Sequence, residues 1–178
     1  MARHGLCRRC RTPFARAWCI GERANVLKVL INQYKFERAR AAKHAIVDLF
    51  DAVLPPLPDD VTVVPVPTIS SHIRQRGYDH MALVARGFAR RRQLSYRAVI
   101  QRASNTVQHG VTRAVRLHQA RQAFECGDVP PGIYLLVDDV YTTGATVRYA
   151  ADVLLRAGAT EVWIAVVSRQ PFSRTANV

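Results

Sequence analysis

From Asn25 the chain places apolar side chains at three- and four-residue steps: Val26, Leu27, Leu30, Ile31 and Tyr34, resuming at Ala41, Ala45, Ile46 and Leu49. That spacing predicts an amphipathic helical stretch. Asn25 suits its start as a cap, and Pro55, Pro56 and Pro58 end it because proline cannot continue the hydrogen-bond ladder. Val61–Val64 is a β-branched run closed by Pro65 and Pro67, which predicts a buried strand entering a stiff loop. Beyond Arg74-Gln-Arg-Gly77, a second helical stripe runs through Met81, Val84, Ala85 and Phe88 and ends in basic Arg90–Arg92. Arg97–Arg102 offers a further short strand. Ala103–Phe124 is polar, basic and poor in bulky apolar residues, which predicts a long loop of the functional kind.

The C-terminal third has the plainest pattern. Ile133–Val137 is a continuous apolar strand, and Ala145–Ala157 a helix with Val147, Ala151, Leu154 and Leu155 on one face. Gly158 stands where a C′ glycine belongs, and Glu161–Val167 is a second strand. Strand, helix and strand in this order predict parallel strands joined by a crossover, hence an α/β fold. Arg3–Arg23 shows no clear periodicity and reads as a short basic head carrying cysteines. The expected division is a head over 1–23 and one domain over 24–178. Neither internal repeats nor low-complexity tracts occur.

Composition narrows the function classes. The 178 residues are 49% apolar, enough for one compact domain with a small appendage. No apolar run approaches the roughly 20 residues that cross a bilayer, and the N-terminus lacks the apolar core of a secretory signal. A cytoplasmic protein without a membrane partner is expected. The formal charge of +13 favours polyanionic company such as nucleic acid, nucleotides or sugar phosphates, unless the arginines merely solvate helix faces.

Chemistry concentrates in Leu135–Thr146, Leu-Leu-Val-Asp-Asp-Val-Tyr-Thr-Thr-Gly-Ala-Thr. The apolar strand delivers Asp138 and Asp139 to its carboxyl end, where open parallel sheets bind ligands. Val140, Tyr141, Thr142, Thr143, Gly144, Ala145 and Thr146 then open a helix. A helix N-terminus presents unpaired N–H groups and partial positive charge to a phosphate. Gly144 permits a tight turn, and Thr142, Thr143 and Thr146 add hydroxyl donors. The carboxylates accept hydrogen bonds from vicinal hydroxyls, so the segment describes a ribose 5-phosphate site. The plainer alternative is a threonine-capped helix after an acidic turn.

Leu135–Thr146 resembles the phosphoribosyl diphosphate-binding motif of the type I phosphoribosyltransferases. Other segments resemble the ComF/GntX branch, linked to bacterial competence and DNA uptake: Val64-Pro-Val-Pro67, Arg74-x-Arg-Gly-Tyr78, Tyr34-Lys35-Phe36, and Gln108 through Arg116 to Phe124. The resemblance implies a central, mostly parallel sheet flanked by helices, with a flexible hood loop. It places Pro67 and Thr68 near the diphosphate, with Arg74, Arg76 and Lys35 supplying positive charge. Gln108–Phe124 becomes the hood, and Arg113 and Arg116 neutralise departing diphosphate. Mg²⁺ on the diphosphate is implied with it. The branch commonly has Arg-Gly-Phe-Asn-Gln where this chain has Arg76-Gly-Tyr-Asp-His80, which adds a negative charge near the polyanion. Thr142 stands where purine-salvage relatives carry a third carboxylate, so the turn offers no general base.

ComF-like proteins often begin with a four-cysteine zinc module. Here Cys7 and Cys10 make one pair and Cys19 stands alone; zinc on these three, with His4 as a further ligand, is weighed against free, reduced thiols. His44, His72, His80, His109 and His118 show no ligand spacing and read as surface residues or phosphate-facing donors. Three functions follow: transfer of phosphoribose to an unidentified nucleophile, with Asp138, Asp139 and Arg116 as catalytic residues; a binding module that contacts a nucleotide, single-stranded DNA or a DNA-uptake helicase; or a regulator that keeps the pocket without the reaction.

Overall fold

The computed structural model describes residues 12–36, 42–102 and 124–170. Five strands form one parallel sheet: β1 (Arg16–Glu22), β2 (Thr62–Pro65), β3 (Ser95–Tyr96), β6 (Ile133–Tyr141) and β7 (Glu161–Arg169), in the order β1-β7-β6-β2-β3. A separate antiparallel pair joins β4 (Ile100–Arg102) to β5 (Phe124–Cys126). Helices α1 (Asn25–Phe36), α2 (Ala42–Val53), α3 (Ser70–Arg76), α4 (His80–Arg91) and α5 (Ala145–Arg156) complete the described elements. The expected α/β architecture with a mostly parallel sheet is what the chain forms.

The strands read as unbroken apolar runs because both faces of the sheet are covered. Alternation still sorts them. Leu135 and Val137 of β6, with Trp163, Ala165 and Val167 of β7, enter the core shared with α1, α2 and α4. Tyr134, Leu136, Val162, Ile164 and Val166 enter the opposite core under α5. In α5, Val147, Ala151 and Leu154 of the expected stripe are buried, joined by Ala150 and Val153. Gly158 has φ +114°, and a Cβ there would lie 2.7 Å from the Val129 carbonyl oxygen, so both backbone and space require glycine.

Several sequence expectations change. The long helical stretch is two helices, and its stripe is narrower: Ile31 and Tyr34 are buried, whereas Val26 stands 78% exposed and Ala45 is exposed. Ile46, Val47 and Phe50 carry the buried face of α2. Asn25 is the first residue of α1, in the left-handed region at φ +44°, rather than a cap preceding it. The stiff loop after Pro67 contains the short helix α3. Arg97–Arg102 contributes only its last three residues to a strand, and the parallel sheet takes Ser95–Tyr96 instead. Arg16–Glu22, read as part of an irregular head, is an edge strand paired in parallel with β7. Its alternation escaped notice because arginine and glycine interrupt it, although Trp18 is a buried core residue. Of the expected loop Ala103–Phe124, with its hood Gln108–Phe124, residues 103–123 lie outside the described residues, and Phe124 instead opens strand β5.

Arg90–Arg92 is more than a solvated cluster. Arg92 donates to the carbonyls of Asp51 (2.6 Å), Leu54 (3.0 Å) and Pro55 (3.2 Å), and to the Asp51 carboxylate. It therefore supplies donors and positive charge to the carboxyl end of α2, where unpaired carbonyls and the helix dipole favour both. Arg91 pairs with Asp48 at 2.6 Å, with both side chains about half exposed. Arg92→Ala is expected to cost about 2 kcal/mol and to lower the melting temperature by roughly 4–8 °C. Arg91→Ala should change stability by no more than about 1 kcal/mol. Equal losses in differential scanning calorimetry would refute this division of roles.

Candidate functional site

Parallel pairing sets Val64 against Leu136 and Pro65 against Val137, so β2 and β6 leave the sheet at the same edge. The Pro67–Thr68 loop follows one strand and the acidic, threonine-rich segment ends the other. β6 runs farther than its apolar residues suggest. Asp138 pairs with Val166, Val140 with Ser168 and Tyr141 with Arg169, so both acids lie within the strand rather than after it. Successive strand residues point to opposite faces, and the contacts follow. Asp139 meets His80 of α4 on one side, while the charge of Asp138 acts on Arg102 of β4 on the other.

Thr142, Thr143 and Thr146 are exposed at the mouth of α5, with Gly144 buried between them. Gly144 precedes the helix at φ +76°. A Cβ at that position would fall 2.2 Å from the Tyr141 hydroxyl, so the tyrosine ring occupies the space any other residue would need. The first turn of α5 carries no acidic residue, which leaves the positive end of its dipole uncompensated. The Thr143 hydroxyl accepts from the Ala145 amide at 3.4 Å. A cavity of about 570 Å³ opens beside the turn, lined in part by Thr143, Ala145 and Arg148; neither acid lines it.

His80, read from the sequence as a surface residue or a phosphate-facing donor, is 4% exposed and contacts Asp139, Arg76 and Thr68. Its Nε2 lies 2.7 Å from Asp139 Oδ2, and its Nδ1 lies 3.2 Å from Nη1 of buried Arg76 and 3.4 Å from the Thr68 hydroxyl. Tyr34 donates its hydroxyl to the His80 carbonyl at 2.8 Å, and Tyr78 donates to the Tyr34 carbonyl at 2.5 Å. Asp79, expected to repel a polyanion, caps α4: its Oδ1 accepts from the amides of Met81 (3.0 Å) and Ala82 (3.2 Å) and from the Thr68 hydroxyl (3.0 Å). Its charge is thus spent on a helix N-terminus, where an acid is favourable.

Arg102 also went unforeseen. Its Nε donates to the Pro67 carbonyl at 3.1 Å, and its guanidinium stacks on Phe124, 4.9 Å from the ring centre. Burial pushes its pKa down, and the Asp138 charge opposes that shift. Nothing in the short polar β4 sequence marks it out. Arg74 is exposed in the last turn of α3, and Arg76, in the same turn, is buried. Lys35 lies in α1, but its side chain is outside the described residues, as are Arg113, Arg116, Cys7 and Cys10. Cys19 sits within β1, half-buried, and donates its thiol to the Gly21 carbonyl at 3.1 Å; burial pushes that thiol up. Among the described residues, no group of three or more His, Cys, Asp or Glu side chains is placed to hold a metal.

No family model matches the chain. It is similar to the DNA utilization protein YhgH of Salmonella typhi, 28% identical over 171 residues, spanning 90% of this chain and 74% of that protein. The YhgH protein of Escherichia coli strain K12 is 29% identical over the same shares. Among solved structures, glutamine phosphoribosylpyrophosphate amidotransferase from B. subtilis superposes with a TM-score of 0.52 at 21% identity. The match covers 71% of this chain and 26% of the enzyme, so it concerns about a quarter of that protein. The homology to YhgH is distant, and the fold is that of the type I phosphoribosyltransferases.

Gly144→Ala combines a disfavoured backbone angle with a collision against Tyr141, at an expected cost of about 1–3 kcal/mol in urea unfolding. Combined with Tyr141→Ala, the collision disappears and the double variant should lose less than the two single losses added together. Simple additivity would show that the ring is not the obstacle.

Proposed function

We propose that this distant homologue of YhgH, with its type I phosphoribosyltransferase fold, binds phosphoribosyl diphosphate and transfers its phosphoribosyl group to a nucleophile. The observation that carries the reading is the shared sheet edge. There the two part-exposed acids and the exposed threonine turn stand next to the Pro67–Thr68 loop. The 5-phosphate sits on the amides and hydroxyls of Thr142–Thr146 at the uncompensated end of α5. Asp138 and Asp139 accept from the ribose hydroxyls. Diphosphate lies towards Pro67 and Thr68, with Arg74, Lys35, Arg113 and Arg116 as its cationic surroundings.

In the transfer, the C1–oxygen bond to diphosphate breaks and its electron pair departs with the leaving group. The acceptor's lone pair forms the new bond to C1. Positive charge developing on the ribose is favoured by the negative charge of the nearby carboxylates. With Thr142 in place of a third acid, acceptors that attack without prior deprotonation, such as neutral amines, suit the site best. The paired carboxylates suit an ion held mainly by substrate oxygens and water. Mg²⁺ entering in that way would neutralise the leaving diphosphate. Zinc on Cys7, Cys10 and Cys19 is separate from the transfer chemistry; of the three only Cys19 is described, its thiol donating to the Gly21 carbonyl.

A second reading, a DNA-binding accessory of DNA uptake without catalysis, is favoured by the +13 charge and by the name of the relatives. It is weakened at Arg91 and Arg92, which are engaged with α2. It predicts oligonucleotide affinity that falls steeply with salt, and pyrophosphate release against a panel of bases and amines separates the two readings. No described helix is long and apolar enough to cross a membrane.

Phosphoribosyl diphosphate with Mg²⁺, at about a hundred times its dissociation constant, should stabilise the protein by about 2.7 kcal/mol in thermal unfolding. The shift should vanish when Asp138→Asn and Asp139→Asn are combined. An unchanged melting curve for the wild-type protein would leave the reading without support.

A further inference from the structure

We infer that His80 is a positioning residue, held as the neutral Nε2–H tautomer by Arg76, that locks the Asp139 carboxylate into the orientation in which it receives the ribose diol. The inference rests on the phosphoribosyl-binding reading and deepens it. Arginine only donates hydrogen bonds, so the 3.2 Å contact from Arg76 Nη1 makes Nδ1 of His80 an acceptor. The ring's proton then belongs to Nε2, 2.7 Å from Asp139 Oδ2, and His80 donates to the carboxylate. Both ring nitrogens are thereby engaged, Nδ1 by Arg76 and Nε2 by Asp139.

The surroundings fix the ring as firmly as its nitrogens. Tyr34 holds the His80 backbone carbonyl at 2.8 Å and packs edge-on against the imidazole, with ring centres 5.9 Å apart. His80 opens α4, whose N-terminus Asp79 caps, and Thr68 ties that cap to the loop assigned to diphosphate. The imidazole therefore joins two parts of the site that sequence separates: the turn Arg76–His80 and the strand end at Asp139. A wedge placed in this way sets one rotamer of one acid, a device that second-layer donors commonly supply to ligand-binding carboxylates.

The test uses the whole chain with ribose 5-phosphate and inorganic phosphate as separate probes. Nitrogen-15 spectra at pH 7 should show His80 with Nδ1 unprotonated and Nε2 protonated. His80→Leu, which keeps bulk and loses the donor, should weaken ribose 5-phosphate about tenfold while leaving inorganic phosphate unchanged. His80→Gln, whose amide can donate to Asp139 and accept from Arg76, should return affinity to within about threefold of wild type. A protonated Nδ1, an unaltered ribose 5-phosphate affinity in His80→Leu, or an equal loss for both probes would overturn the assignment. Wild-type protein that ignores ribose 5-phosphate sinks the functional reading instead, and the tautomer then still decides the role of the ring.

Discussion

Pairing β2 with β6 in parallel, Pro65 against Val137, obliges both chains to leave the sheet in the same direction. Antiparallel pairing would have sent the Pro67–Thr68 loop to the far end of the molecule. Parallel register instead lays it against the acids and the threonine turn, and α5 then begins above that edge with its positive end outward. The same constraint explains the division of labour between the acids. Strand neighbours must face opposite ways, so Asp138 and Asp139 straddle the sheet edge, one towards β4 and one towards α4. Each therefore has its own arginine-linked support, Arg102 for the first and Arg76 through His80 for the second.

Burying polar groups is costly unless they are hydrogen-bonded. Among the described residues, the buried polar or charged side chains are Arg76, His80 and Ser168. Arg76 and His80 form the relay that ends on the Asp139 carboxylate, and Ser168 donates to the Asp139 backbone carbonyl at 3.4 Å. Among the described residues, these three side chains all connect to Asp139, directly or through one another. Folding alone gives no reason for such a concentration, since an apolar trio would pack at less cost. Orientation of Asp139 does give one.

Much of the fold was legible because apolar periodicity reports burial, and burial is what the strands β2, β6 and β7 and the helices α4 and α5 share. The motif Asp138–Thr146 was legible for a different reason: its chemistry is contiguous in sequence. His80 was not, because its partners come from β6, α3 and the Pro67–Thr68 loop, and a lone histidine on a helix carries no sign of them. The negative charge that Asp79 adds near the site also caps α4, since its carboxylate accepts from the amides of Met81 and Ala82. β1 failed because an edge strand needs only one buried contact face, and Trp18 alone marks it strongly.

Several of the described arginines behind the formal charge of +13 are engaged within the fold. Arg92 is consumed by the end of α2, Arg169 by Glu22 at 3.0 Å, and Arg16 lies over the Trp163 ring. At the site, Arg76 contacts His80 at 3.2 Å, and the charge of Asp138 acts on half-buried Arg102. On the phosphoribosyl-binding reading, the Thr142–Thr146 turn offers an anion short-ranged partners: backbone amides, hydroxyls and a helix dipole. Such a field fits a small monoester that seats at one point. It fits a long polyanion poorly, since that ligand draws its affinity from many phosphates at once. Of the described arginines, Arg91, Arg92 and Arg169 are paired within the fold, so their charge adds less to the surface than the formal count suggests.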